Sequence, residues 1–307
     1  MEIADVLADP ETPAVLAQRL RLVLAARDFG RTLGLEVDGQ YTSYLPWPGD
    51  RILTNLVVAE PGQIEARPFR FPLIGAVPYK GFFDRAWAES EANRFRDRGL
   101  DVCLVPVSAY STLGFFDDPV SDPMLASQDG RLVETVLHEL VHATVFLEGR
   151  PNFNEGAASF IGQEASVLFF AGDLENANRR RQEVLEARTL ARLQMAFRAE
   201  IGVIYDETSE ETTRSRLREE AENRAREQLR SLALDTYDAQ KLADNIALND
   251  ACLALRGTYT EETPRFEAVL ATLDGDLAAF IARLRDAATR ENPETDFFRS
   301  PPSNGGQ

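Results

Sequence analysis

Apolar residues recur every three or four positions along most of this chain, and in short continuous runs over one stretch near its start. Leucine and alanine fall at helical spacing through residues 11–34 (ETPAVLAQRLRLVLAARDFGRTLG), with Pro13 near the start and Gly34 as a stop, which predicts a helix. Residues 51–60 (RILTNLVVAE), 67–74 (RPFRFPLI) and 101–107 (DVCLVPV) are short and rich in β-branched or aromatic side chains, which predicts strands. GAVPYKG (75–81) reads as a loop from its two glycines and one proline. An amphipathic helix follows at 82–98 and ends at Gly99. From Tyr110 to Gly130 the chain is irregular, broken by Pro119 and Pro123.

Beyond residue 130 the pattern is almost wholly helical. Helices are expected at about 131–148, 154–171, 177–200, 208–232, 237–256 and 263–287, with the break GRPNF (149–153) between the first two. Ala187, Leu190, Leu193 and Phe197 mark an apolar stripe on the third. The stretch 207–230, dense in Glu and Arg, reads as a solvated face laced with i,i+4 pairs. Residues 291–307 (ENPETDFFRSPPSNGGQ) read as a disordered tail. The expected fold class is α+β and predominantly helical: one domain over 1–290, whose small N-terminal sheet portion (1–130) packs against a helical portion (131–290).

Composition narrows the partners. Of 307 residues, 44% are hydrophobic and 27% charged, an ordinary globular balance. Asp and Glu total 50 against 33 Lys and Arg, and a net charge of −17 repels phosphate backbones, so nucleic acid is not expected as a partner. Two cysteines, Cys103 and Cys252, allow at most one disulfide and exclude a cysteine-based zinc site, without choosing a redox compartment. No run of 18 apolar residues exists, so no transmembrane helix is expected. The N-terminus, MEIADVLADPETP, has neither a basic n-region nor an apolar h-region. Localisation stays open: cytoplasmic as the chain stands, periplasmic or lipid-anchored if an export segment has been removed.

Histidine is the extreme number, because there are only two. They fall in VLHELVHATVF (136–146) as H-E-x-x-H: His138, Glu139 and His142. Two histidines placed at random would stand four apart roughly once in 150 times, and Glu after the first makes it roughly once in 1,500. Positions i and i+4 share a helix face, so both imidazoles can reach one Zn²⁺. Glu139 projects about 100° around the helix from His138, where it can serve as general base beside the metal's open position. A third protein ligand must be a carboxylate or thiolate. Glu155 in FNEGAASFIGQEAS (153–166) is favoured, with Asn154 as the expected N-cap of a helix returning antiparallel to the first; Glu164 is the reserve. Ser159 and Glu134, each one turn from a ligand, are ordinary helix positions that could also face the histidines.

H-E-x-x-H followed by N-E-x-x-A-S on a second helix resembles the gluzincins, the thermolysin-like metallopeptidases. VPYKG (77–81), YSTLGFFDDP (110–119), HELVH (138–142) and FNEGAA (153–158) resemble, more closely, the bacterial putative zinc aminopeptidase family, over roughly residues 20–290. That resemblance implies one zinc bound by His138, His142 and Glu155, with Glu139 as the base and a peptide or protein as substrate. Two features differ from well-studied gluzincins. Only twelve residues separate His142 from Glu155, which requires a compact helical hairpin, and GAVPYKG begins like G-A-M-E-N but carries no Glu. A second donor must stabilise the oxyanion formed in hydrolysis. Tyr110 and Tyr79 are the candidates, with Tyr110 preferred. The rival readings are a zinc module without catalysis, a metal-free binding protein with an acidic surface, and a zinc hydrolase of a non-peptide amide.

Overall fold

A computed structural model describes residues 1–71, 75–108, 117–260 and 262–299. Helices α1 (Ile3–Ala8) and α2 (Ala14–Thr32) open the chain, followed by strands β1 (Tyr44–Leu45), β2 (Leu53–Ala59), β3 (Phe69–Phe71), β4 (Gly75–Val77) and β5 (Lys80–Phe82). Next come α3 (Arg85–Arg96), β6 (Asp101–Val107), β7 (Val120–Ser121), α4 (Asp122–Leu125), α5 (Asp129–Thr144) and α6 (Pro151–Phe169). The remainder is helical: α7 (Leu174–Glu207), α8 (Glu211–Ser231), α9 (Ala239–Asn245), α10 (Asp250–Thr260), α11 (Thr263–Ala271), α12 (Leu277–Ala288) and α13 (Pro293–Phe298). The fold is α+β and predominantly helical, as the periodicity predicts.

The chain divides into two compact units, each built from separated segments. The first holds residues 1–50, 108–180 and 261–307; the second holds 51–107 and 181–260. Neither coincides with the front and back portions read from the sequence.

In the first unit α5 and α6 run antiparallel, with α2 packed on α5 and α11 and α12 on α6. Leu132, Val133, Val136, Leu137 and Leu140 of α5 are buried in its core. Behind α6 sits a cluster of phenyl rings. Phe160 lies 5.8 Å from Phe266 and 5.4 Å from Phe280, and Phe153 lies 5.7 Å from Phe297. Each such ring contributes about 1.5–3 kcal/mol by leaving water. This cluster explains why part of the expected disordered tail is ordered: α13 forms there, and its Phe297 is completely buried. The predicted helix 263–287 is two helices. Asp274 and Gly275 both take positive φ, 53° and 79°, and the Asp276 carboxylate then caps α12 by accepting from the Ala279 N–H.

The second unit holds a three-stranded antiparallel sheet in the order β5-β2-β6. Alternation along β2 serves two cores: Leu56 and Val58 pack with Ala92 of α3, while Val57 and Ala59 pack with Ala251 of α10. A disulfide joins Cys103 on β6 to Cys252 on α10. The GAVPYKG segment expected to be a loop instead holds β4, paired with β3, and the start of β5, paired with β2. Three-residue strands take their order from a partner, and too few residues alternate to show it in sequence. Likewise 237–256 is split into α9 and α10, because the Asn249 side chain accepts from the Cys252 N–H and starts a new helix.

Candidate metal centre

Helix α5 carries His138, Glu139 and His142, and its apolar positions Leu137, Leu140 and Val141 fix which way these polar ones face. Helix α6 begins at Pro151, three residues earlier than predicted, so Asn154 is not its N-cap. The Asn154 amide instead staples the connection. It accepts from the Leu147 N–H at 2.9 Å and donates to the Leu147 carbonyl at 2.8 Å, in a buried position. That closes the short hairpin and turns Glu155 back toward α5.

The two imidazoles face each other, with Nε2 of His138 and Nε2 of His142 3.1 Å apart. Glu155 offers Oε2 at 3.5 Å from His138 Nε2 and Oε1 at 3.6 Å from His142 Nε2. Ligating atoms of His138, Glu139 and His142 also lie within 4.8 Å of one another, a group that can hold a metal ion. Donor atoms on one tetrahedral zinc at about 2.0–2.1 Å stand about 3.3 Å apart, and the His138–His142–Glu155 spacings bracket that value. The residues present therefore fit the ion that their chemistry implies. Glu139 has no hydrogen bond or ion pair with any described residue, which leaves its carboxylate available beside the pair.

Burial and charge shape the centre. His142 is buried, whereas His138, Glu139 and Glu155 are partly exposed, so one side opens to solvent. Burial by itself would raise the Glu155 carboxyl, but hydrogen bonds and charge from His138 and His142 outweigh it and lower it to about 2. Burial would lower His138, and the Glu155 hydrogen bond with the charges of Glu139, Glu155 and Glu134 raises it instead.

The other sequence candidates fall elsewhere. Tyr110 lies outside the described residues. Tyr79 belongs to the second unit, between β4 and β5, and is 39% exposed. Glu164 stands nine residues beyond Glu155, half a turn out of phase on the helix, and is buried rather than solvent-facing. Three features had no sequence reading. Arg180 is buried against Glu134 and Ser166. Gly162 sits against the α5 backbone, where a Cβ would press on Glu134 and His138, and a glycine inside a helix was the available signal. Tyr41 has φ of 56° and a buried hydroxyl with no hydrogen-bond partner among the described residues. Burial raises its pKa, and the Glu139 and Asp118 charges raise it further.

The chain matches the family model described as "Putative aminopeptidase" over residues 1–296. It belongs to that family. Membership agrees with the resemblance carried by VPYKG, HELVH and FNEGAA, and it supports peptidase activity at the family level. Searches of curated proteins and of solved structures give no match.

Proposed function

We propose that this member of the family is a zinc-dependent peptidase whose metal is held by His138, His142 and Glu155 and whose general base is Glu139. The observation that carries the reading is the convergence of three donor side chains, with the two imidazole Nε2 atoms 3.1 Å apart and one Glu155 oxygen 3.5 or 3.6 Å from each, and a second carboxylate beside them. A zinc ion there supplies Lewis acidity, polarising a peptide carbonyl and making water easier to deprotonate. Glu139 takes a proton from the attacking water and returns it to the amine nitrogen as the C–N bond breaks. It lies next to the donor pair and is tied to no other group among the described residues, as suits a base that must accept and release a proton. Family membership favours the free amino end of a peptide as the site of cleavage.

Glu139→Gln is expected to retain zinc and lose about 10²–10⁴-fold in kcat. Elemental analysis and a peptide-library cleavage profile test this together. Zinc near one per chain, with cleavage that Glu139→Gln abolishes, is the expected result. Full activity in that variant overturns the base, and protein that takes up no zinc overturns the centre.

A further inference from the structure

We propose that Arg180 is a positioning residue for the metal centre: with Glu134 and Ser166 it clamps α6 to α5 in the register that turns Glu155 toward the two histidines. This inference rests on the metal-centre reading above.

Three residues on one face of α6 set the argument. Gly162 and Ser166 follow Glu155 by seven and eleven positions, each close to a whole number of helical turns. Running antiparallel, α6 therefore places Glu155 beside His138 and His142, Gly162 beside the turn from Glu134 to His138, and Ser166 one turn beyond. At Gly162 the contact is between backbones: a Cβ there would stand 3.0 Å from the Glu134 carbonyl oxygen and 3.2 Å from the His138 backbone nitrogen and Cβ. The helices can come no closer.

Apolar burial holds the two helices together, and a buried ion pair fixes their register. Arg180 Nε donates to Ser166 Oγ at 2.8 Å, and its guanidinium pairs with Glu134 Oε2. Arg131 takes the other Glu134 oxygen at 2.7 Å. Arg180, Glu134 and Ser166 are all more than nine-tenths buried. A buried ion pair adds little net stability compared with apolar side chains of the same volume. Its value here is register, since a guanidinium fork tolerates one arrangement of partners. Metal–ligand bonds tolerate about 0.2 Å. A sub-ångström slide of α6 thus removes Glu155 from the donor set without unfolding the unit, because the phenyl cluster behind α6 still holds that helix.

The test is zinc affinity, measured on the full chain by competition with a chromophoric chelator. The paired variant Arg180→Met with Glu134→Gln removes both charges at once. It is expected to bind zinc 10–100-fold more weakly while melting within a few degrees of wild type. Gly162→Ala, which pushes the helices apart, is expected to weaken zinc binding as well, and Arg180→Lys to fall between. Arg218 pairs with Asp250 in the second unit and serves as the control. Arg218→Met with Asp250→Asn removes an ion pair in which the carboxylate is buried and the guanidinium partly exposed, and is expected to leave zinc affinity unchanged. Unchanged affinity in the Arg180 pair overturns the proposal while the metal centre stands, and so does an equal loss in the control. Should the paired variant fail to fold, Gly162→Ala and Arg180→Lys decide, with wild-type affinity in both overturning it. If wild-type protein binds no zinc, the metal-centre reading fails and this one with it.

Discussion

Tyr41 combines two costs in one residue. A left-handed backbone is unfavourable by about 1–2 kcal/mol for a residue with a Cβ, and a buried hydroxyl without a partner by about 1–3 kcal/mol. Tyr41→Phe removes the second cost and keeps the ring, so it is expected to be neutral or to stabilise by about 1 kcal/mol, read as an unchanged or higher Tm. A drop of several degrees would show that the hydroxyl has a partner. Glu186 is the opposite case. Burial would raise its carboxyl, but the Thr236 hydroxyl, the N–H groups of Asp235 and Thr236 and the Gln182 amide hold it at about 2. A native carboxyl more acidic than the unfolded one stabilises above the unfolded value and loses that contribution as pH falls toward the native value. Glu186→Gln should therefore cost on the order of 2 kcal/mol at pH 7 and little at about pH 2. Urea melts at the two pH values check this, and an equal loss at both would refute the charge as its source. At this scale the sequence was informative wherever chemistry is local. Two histidines and a glutamate at fixed helical spacing announce a shared face, whereas nothing in the letters around Tyr41 or Arg180 shows what they are buried against.

Among the elements, long amphipathic helices were legible and short strands were not. Helices α2, α3, α5 and α8 fall within a few residues of their predicted spans, because an apolar stripe repeats several times in each. Breaks inside predicted helices depend on single residues such as Asn249 and Asp274, whose side-chain cap or backbone angle emerges only in context. The start of α6 was misplaced for a related reason: Asn154 has the residue type of a cap and works as a staple across the hairpin. The disulfide between β6 and α10 closes 149 residues. Loop entropy alone assigns such a link about 5 kcal/mol, an upper figure. Reduction is expected to lower the unfolding midpoint of the second unit markedly, by comparison of denaturant melts with and without dithiothreitol. No shift would mean that the thiols are unlinked in the folded protein.

For the molecule as a whole, the expected metal offers a direct thermodynamic reading. Zinc that binds only the folded state stabilises it by about 2.7 kcal/mol at a hundredfold excess over Kd. Calorimetry with zinc and then with excess chelator should move the transition of the first unit, which contains the centre, up and then back. An unmoved transition would argue against a folded-state site. Sequence alone determined the helical α+β class and the shared face of His138 and His142, and it favoured Glu155 over Glu164 as the nearby carboxylate, because periodicity and spacing are properties of neighbouring residues. Tertiary structure decided which distant segments share a unit, that α13 is ordered, and that Gly162 and the Arg180 clamp sit behind the histidines. Those outcomes follow from burial, which is non-directional and brings together residues more than a hundred positions apart without any local mark.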